Sequence, residues 1–239
     1  MGLIQVLLKA LVSQSSALLP QDMQGPFGWL RGALGAGLAI ILSALATWLL
    51  LGSQSTALPW LVAPLGASAV LVFAVPASPL AQPWSVVGGN LVSAAIGIGV
   101  GMYTGSAMLA PGLAVGAAIA VMTFTRCLHP PGGACALLCA LGAAGGEAWT
   151  WIYLLPIAAN VLTLALVGMI YNNLTGHSWP HRAPLPVRNP ALVQAPHTRG
   201  DIEDVLAEWD EVLDVDVDDL DAFVREVNRH VARRGMGRR

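Results

Sequence analysis

The sequence predicts an all-α integral membrane protein with a short helical tail. Of its 239 residues, 55% are hydrophobic and 11% are charged, whereas ordinary soluble domains carry about 25% charged residues. Between Gly32 and Tyr171, Arg126 and Glu147 are the only Lys, Arg, Asp or Glu residues. The surface of a soluble fold must face water, so a nearly chargeless stretch of this length indicates burial in a bilayer.

Six hydrophobic segments follow one another through this stretch. A membrane-spanning helix needs roughly 20 mostly apolar residues, and the segments lie at 32–51, 58–76, 85–104, 108–125, 131–145 and 148–171. Short segments often re-enter the membrane, so a four-crossing topology with 58–76 and 131–145 re-entrant stays open beside a six-crossing one. Six crossings with a cytoplasmic N-terminus place every Lys and Arg inside, as the positive-inside rule prefers, whereas four crossings put Arg126 outside.

The two halves of the hydrophobic region share an internal repeat. Residues 64–71 and 131–138 have five identities in eight positions at an offset of 67, and Trp84 and Trp151 stand at the same offset. Three segments per half is an odd number, so duplicated halves cross the membrane in opposite directions. We therefore expect two inverted repeats, about 32–104 and 108–171, with broken or half helices where Pro and Gly interrupt them.

Composition divides the chain into four parts: an amphipathic segment at 1–27, a transmembrane domain at 28–174, a Pro-rich linker at 175–199 and a tail at 200–239. The tail holds 12 of the 14 acidic residues and has apolar residues at helical spacing. We expect two short tail helices that bury Trp209, Leu213, Leu220 and Phe223. The tail and the small residues from Gly97 to Gly101 both favour a homodimer.

The Pro- and Gly-rich interruptions are the candidate binding site for a small solute. Proline suits the first turn of a helix, where its missing N–H has no use, and glycine leaves the neighbouring amides uncovered. A helix start carries roughly half a positive charge and binds anions. The candidate residues are Pro64, Gly66, Ala67 and Ser68 in the first half, and Pro130, Pro131, Gly132, Gly133 and Ala134 in the second. The alternative interpretation is that these glycines only permit close helix packing.

Four polar residues join this candidate site. Arg126 either anchors the chain at the membrane boundary or attracts an anion to the pathway. His129 either caps the preceding helix or takes up a proton near neutral pH. Asn90 and Asn160 lie inside predicted spans, where they bond between helices or line the pathway.

The sequence predicts no metal site, no cofactor and no nucleic-acid partner. The acidic run at 214–219 has Asp219 where a calcium loop needs Gly, and Arg225 where it needs Glu. Cys135 and Cys139 share a helix face but lack further metal ligands. The membrane region has too few titratable groups for acid–base catalysis, so we do not expect an enzyme.

The segment His129-Pro130-Pro131 and the small residues that follow it to Leu138 resemble the signature of the HPP family of integral membrane proteins. The first-half stretch from Pro64 to Trp84 is similar as well, and the resemblance covers roughly residues 30–171. It implies a membrane-embedded protein, commonly counted as four spans, in a family linked to nitrite transport. Some members carry C-terminal nucleotide-binding modules, for which this tail is too short.

The sequence departs from the family pattern at Gly132 and Cys135, where Ala and often Thr are expected. A thiol in place of a hydroxyl weakens hydrogen bonding to an anion. The function predicted is a transporter or channel for a small monovalent anion, nitrite by resemblance, in the cell inner (plasma) membrane with both termini cytoplasmic. A carrier of a neutral solute or cation, and a non-transporting scaffold that docks a partner through its tail, are the alternatives.

Overall fold

The computed structural model describes residues 25–52, 59, 61–146, 148–181, 197–209 and 217–236, and within these ranges it contains helices and turns without strands. Six helices form the membrane domain: α1 (Gly25–Leu51), α2 (Pro64–Ala74), α3 (Pro83–Thr104), α4 (Ala110–Phe124), α5 (Pro130–Ala144) and α6 (Leu154–Leu174). The tail contains α7 (Arg199–Trp209) and α8 (Val217–Met236). The predicted amphipathic segment 1–27 lies almost wholly outside the described residues.

Three helices of the membrane domain are long and three are short. Gly28–Leu51, Pro83–Thr104 and Trp151–Leu174 are long and apolar enough to cross a membrane. By contrast, α2 has 11 residues and α4 and α5 have 15 each, about 16 and 22 Å of helix at 1.5 Å per residue. Crossing the hydrocarbon layer takes about 30 Å. Six segments are therefore present as predicted, but half of them are too short to span as helices.

The helix in segment 58–76 is shorter than the hydrophobic segment itself, as the expectation of broken or half helices requires. The helix in this segment is confined to Pro64–Ala74 because proline bounds it on both sides. Pro64 occupies the first turn, where its missing N–H and fixed φ favour a helix start. At the other end Val75 has φ −133° and precedes Pro76, and a residue before proline is disfavoured in the helical conformation.

The third helices of the two halves, α3 and α6, run in opposite directions. Trp179, which follows α6, donates its indole N–H to the carbonyl of Ala81, which precedes α3, at 3.0 Å. Trp151, which precedes α6, lies against Gly99 near the other end of α3. The start of each helix is therefore beside the end of the other.

The remaining pairs of equivalent helices are inverted in the same way. Helix α2 runs parallel to α6, since Val62 and Val72 bond to Asn160 and Asn172 in that order. Helix α5 runs parallel to α3, since Gly97 and Gly101 of α3 contact successive turns of α5.

The first helices of the two halves complete the inversion. Arg31 and Ser43 of α1 bond to the end and the start of α6. Trp84 at the start of α3 donates to the carbonyl of Thr125, which directly follows α4. Helices α1 and α4 are thus each antiparallel to the third helix of the other half. The predicted all-α membrane fold with two inverted halves and short broken helices is confirmed.

Arg31 and Arg126 lie at the same end of the helix bundle. Arg31 donates to Asn172 at the end of α6, and Trp84 at the start of α3 donates to the carbonyl of Thr125, the residue before Arg126. The start of α3 and the end of α6 are adjacent, as shown above. The six-crossing topology requires Arg31 and Arg126 to lie on the same side of the membrane. The four-crossing alternative puts them on opposite sides, so it does not fit the structure.

The outward faces of the membrane helices are apolar. Ile41 of α1 is 66% exposed, Phe124 of α4 is 91% exposed and Leu162 of α6 is 53% exposed. Soluble monomers rarely leave contiguous apolar surface in water. A surface of this kind is consistent with contact with lipid.

A row of glycines brings α3 into close contact with α5. A Cβ atom on Gly97 would lie 2.5 Å from the carbonyl oxygen of Ala136, and one on Gly101 would lie 2.7 Å from that of Ala140. Small residues let membrane helices approach this closely. The expectation that Gly97 and Gly101 support a dimer is wrong, because they pack within one chain. The homodimer itself stays a prediction.

The region after α6 begins as packed structure rather than as an extended linker. Trp179 is 1% exposed, and its ring lies against Gly168 of α6. In the tail, α7 and α8 pack against each other, as expected. The predicted burial of Phe223 is wrong, because this side chain is 67% exposed. The predicted burial of Leu213 lies outside the described residues.

Candidate functional site

The two short helices α2 and α5 begin partway along the long helices α6 and α3 rather than at their ends. The chain entering α2 bonds to Asn160, which is six residues into α6, and the chain entering α5 packs on Gly89, which is six residues into α3. Six residues of helix span about 9 Å. Proline explains where these helices start. Pro64 and Pro130 occupy the first turns, and His129 has the extended backbone that is favoured before proline.

His129 connects the two half helices. Its Nδ1 lies 2.8 Å from the carbonyl oxygen of Leu80, and its Nε2 lies 2.8 Å from Oγ of Ser68 in α2. A carbonyl oxygen only accepts, so we assign the proton of the neutral ring to Nδ1. Nε2 then accepts the hydroxyl proton of Ser68.

Asn90 of α3 completes the cluster. Its Nδ2 donates to Oγ of Ser68 at 3.1 Å and to the carbonyl of Val86 at 2.9 Å. Ser68 and His129 are fully buried and Asn90 is 2% exposed. Three of the sequence-predicted residues, on or beside three different helices, therefore form one polar cluster, which is called the Ser68–His129–Asn90 cluster below.

Two glycines allow the elements around this cluster to approach closely. A Cβ atom on Gly89 would lie 2.5 Å from Cβ of His129, and one on Gly132 would lie 2.8 Å from Oγ of Ser93 and 2.9 Å from the carbonyl of Gly89. For Gly132 the packing interpretation is therefore supported. Gly66 and Gly133 differ, because a Cβ atom on either would meet nothing within 4 Å.

The expectation that the first-turn amides are free to bind a ligand is wrong at Gly66 and Gly132. The amides of Leu65 and Gly66 donate to the carbonyls of Val62 and Ala63, and that of Gly132 donates to the carbonyl of His129. Pro64, Pro130 and Pro131 have no amide hydrogen. Tight turns at the helix starts have satisfied these donors, so what the starts can offer a ligand is chiefly their dipole charge.

The exposure of the other predicted site residues follows the helix faces. Pro64 and Pro131 are buried, whereas Ala67, Pro130 and Ala134 are exposed. The latter three therefore lie on the outer faces of the half helices, away from the buried cluster.

Asn160 belongs to a second polar cluster. Its Oδ1 accepts from the amide of Val62 at 3.0 Å, and its Nδ2 donates to Oγ1 of Thr47 in α1 at 2.6 Å. The hydroxyl of Ser43 donates to the Asn160 carbonyl. This arrangement fixes the chain where α2 begins, so Asn160 positions the half helix and does not join the Ser68–His129–Asn90 cluster.

Arg126 also lies apart from the cluster. It is exposed, in the loop between α4 and α5, with φ 57°. The amide of Cys127 donates to the carbonyl of Met122 across it, which is the pattern of a helix C-terminus that usually places glycine in the left-handed position. The residue lies at the bundle end that also carries Arg31.

Sequence reasoning missed Arg31 and the turn at Pro79–Ala81. Arg31 donates to the side chain of Asn172 and to the carbonyl of Phe73, so that a cation lies at the C-terminal end of α2. The Pro79–Ala81 turn holds His129 through the Leu80 carbonyl. The sequence does show Arg31 as an isolated charged residue near the start of the first span. It does not show that the Leu80 carbonyl bonds to His129, because any backbone carbonyl could do so.

No group of three or more His, Cys, Asp or Glu side chains suited to a metal ion occurs among the described residues. Cys135 and Cys139 of α5 are buried in the apolar core of the helix bundle. The prediction of no metal and no cofactor stays a prediction.

The fold and the buried cluster define a polytopic membrane protein with interrupted helices. Residues 21–180 match the HPP transmembrane region, and the chain belongs to this family. It is 44% identical over 120 residues to one transmembrane protein of Dictyostelium discoideum and 41% identical over 119 residues to a second. These alignments cover 48% and 47% of this chain but only 38% and 41% of the two relatives. No solved structure matches the chain.

Proposed function

We propose that the protein carries a small monovalent anion across the membrane, with nitrite the first anion to test. The observation that supports this is the pair of half helices α2 and α5, which begin partway along the long helices, run in opposite directions and are joined at Ser68 and His129. Transporters built from inverted repeats place their substrate sites between interrupted helices of this kind.

The charge distribution favours an anion over a cation. Each helix start contributes roughly half a positive charge, and two such starts lie beside the cluster. Between residues 23 and 200 the sequence contains a single acidic residue, Glu147. Because the amides of Gly66 and Gly132 are already bonded, we assign recognition to the side chains of Ser68, Asn90 and His129 together with the helix dipoles.

Access to the cluster requires a movement, since Ser68, Asn90 and His129 are shielded from solvent. On the two half helices, Gly66 and Gly133 leave the backbone uncovered, since a Cβ atom on either would meet nothing within 4 Å. We place the route of the anion along these two glycines. Small residues there would admit a small ion, and nitrite is the member of that class to which the family resemblance points.

The orientation proposed is a cytoplasmic location for both termini, in the cell inner (plasma) membrane. The start of α1, the end of α6, Arg31 and Arg126 share one end of the bundle. Positively charged residues concentrate on the cytoplasmic side of membrane proteins. Labelling of single cysteines at Gln24 and Gly176 from the same side of the membrane is the expected result.

The function is tested by uptake into proteoliposomes that contain the purified full-length protein. Nitrite, chloride, potassium and urea are compared, and protein-free vesicles give the passive leak. Gly133→Leu should abolish uptake by filling the proposed route. Gly116→Leu is the matched control, because a Cβ atom on this exposed glycine of α4 also meets nothing. Ser68→Ala should lower nitrite uptake about two- to tenfold, the effect of one net hydrogen bond of 0.5–1.5 kcal/mol.

The outcomes separate the candidate functions. Nitrite uptake that Gly133→Leu removes and Gly116→Leu retains supports the proposal. Uptake of potassium but not of nitrite or chloride would disprove the electrostatic argument and favour a cation carrier, and uptake of urea alone would favour a neutral-solute carrier. Equal uptake by both glycine variants would move the route elsewhere.

A second candidate function is a scaffold that docks a partner through its tail. Phe223 and Val227 of α8, one helical turn apart, are 67% and 43% exposed, and exposed apolar side chains in register on a helix are typical of docking surfaces. The partner we propose is a second copy of the chain, which makes the homodimer. Deletion of residues 200–239 should then reduce the oligomer size in detergent. An unchanged size would remove the tail from assembly.

A further inference from the structure

His129 is the titratable side chain at the meeting point of the two half helices. Its ring is fully buried and has one partner on each side, the hydroxyl of Ser68 and the carbonyl of Leu80. We propose that transport is coupled to protons, and that His129 carries one proton together with each anion. This inference rests on the proposed function and adds the coupling ion to it.

The hydrogen bonds around the ring can accommodate both protonation states. In the neutral state Nδ1 donates to Leu80, the Ser68 hydroxyl donates to Nε2, and Asn90 donates to Oγ of Ser68. After protonation Nε2 must donate, so Oγ of Ser68 becomes its acceptor. The hydroxyl hydrogen then turns to the carbonyl of Pro64, which lies 3.4 Å from Oγ. Rotation of one hydroxyl therefore suffices to exchange the two states.

Within the part of the chain that the structure describes, no carboxylate contacts the ring to balance the positive charge that protonation would give it. The two ring nitrogens contact Ser68 of α2 and the Leu80 carbonyl, Asn90 of α3 bonds to Ser68 in turn, and Gly89 of α3 lies against Cβ of His129 and near Sδ of Met122. The nearest titratable groups along the chain are the thiol of Cys127, the guanidinium of Arg126 and the thiol of Cys135. No hydrogen bond or ion pair joins a carboxylate to the ring among the described residues.

A buried cation without a counter-ion is strongly destabilised by the loss of its hydration. The positive dipole ends of the two helix starts repel it further. An anion bound beside the ring removes this cost. By the same argument a protonated ring strengthens binding of the anion, since coupling between two sites is reciprocal. Proton and anion therefore cross in the same step, and no net charge crosses the membrane.

The proton stays balanced through the cycle. It is taken from water on one side onto Nε2, where the lone pair of the ring holds it while the anion is bound. On the other side the anion leaves first, the charged ring loses its compensation, and Nε2 returns the proton to water. The ring regains the Ser68 hydroxyl as a donor and the neutral cluster is restored.

The wild-type protein in proteoliposomes tests the coupling directly. Initial rates of nitrite uptake are measured by ion chromatography and proton entry by an enclosed pH dye, with the leak of nitrous acid into protein-free vesicles subtracted. We expect one proton per nitrite and rates that do not respond to a membrane potential imposed with valinomycin and potassium. Nitrite uptake that follows the membrane potential without proton entry would overturn the inference while leaving the proposed function intact. Failure of nitrite to enter above the leak would instead remove the proposed function.

Variants test the assignment to His129. His129→Gln should lose proton entry, and any nitrite flux that it retains should respond to the membrane potential. His177→Gln is the matched control, because this histidine lies after α6 and bonds to Thr175; it should keep one proton per nitrite. Coupled uptake by His129→Gln would overturn the assignment.

Ser68→Ala gives a second test that stands even where His129→Gln fails to fold. The alanine removes the donor to the neutral ring and the acceptor of the protonated ring, and the bond from the charged ring is the stronger of the two. Half-maximal uptake should therefore move to lower pH while one proton still accompanies each nitrite. A variant that merely loosens packing would lower the rate at every pH without moving the profile. An unmoved profile in Ser68→Ala would therefore count against the inference.

Discussion

The close packing of α3 on α5 makes Gly97→Ala a sharp test of the fold. A Cβ atom at this position would lie 2.5 Å from the carbonyl oxygen of Ala136 and 2.8 Å from Cβ of Cys139. The first contact is with backbone, which cannot rotate out of the way. The closest pair, 2.5 Å apart, would have to separate by about 0.9 Å to reach the ordinary contact distance of 3.4 Å.

Two opposing effects set the magnitude. Forcing an extra carbon into a packed interface costs about 1–3 kcal/mol, and replacing glycine by alanine inside a helix returns at most about 1 kcal/mol. We expect a net destabilisation of about 1–2 kcal/mol for Gly97→Ala. Gly116→Ala has the same chemistry without the contact, since nothing lies within 4 Å of its Cβ position, and it should be neutral or slightly stabilising.

The assay is thermal unfolding of both variants and the wild type in the same detergent, monitored by the fraction that stays monodisperse. The expected order of melting temperature is Gly97→Ala lowest, then wild type, with Gly116→Ala equal to wild type or higher. Equal melting temperatures for the two variants would refute the close approach of α3 to α5, and with it the parallel arrangement on which the inverted fold depends.

Three further predictions concern the loop, the second polar cluster and the tail. Arg126→Gly should leave the melting temperature unchanged because φ is already positive, yet lower nitrite uptake several-fold at low salt, a difference that high salt should abolish by screening. Asn160→Ala should destabilise the protein by about 1–3 kcal/mol, measured by thermal unfolding, because the amide of Val62 loses its buried acceptor. The amide and hydroxyl of Thr198 hold the pKa of Asp201 below its usual 3.8, so the first turn of α7 should keep this support above pH 3.8 and lose it as pH falls through the lowered pKa. Hydrogen exchange of residues 199–209 should show that loss in the wild type and less of it in Thr198→Ala.

The sequence located the half helices because proline acts locally. Pro64 and Pro130 set the backbone of a first turn regardless of what surrounds it, and both helices begin where the prolines stand. The shared offset of 67 likewise revealed the duplication. Because each half has three segments, an odd number, the second half must cross the membrane in the opposite direction to the first. The family signature at His129-Pro130-Pro131 was readable for the same reason.

Local reasoning failed where the outcome depended on distant contacts. Gly97 and Gly101 look the same in sequence whether they meet a second chain or α5 of their own, and only the packing assigned them to α5. The amides at the helix starts were expected to be free, but tight turns bonded them internally.

The candidate site shows the same division. Composition and spacing named Ser68, Asn90 and His129 as candidates together with ten other residues, because polar groups inside apolar segments stand out. Whether they met was decided by the antiparallel crossing of α2 and α5 and by the turn that brings the Leu80 carbonyl to His129. A buried polar group takes its partner from whatever the fold places within about 3 Å of it, so the sequence determined which side chains needed partners and the tertiary structure decided which partners they received.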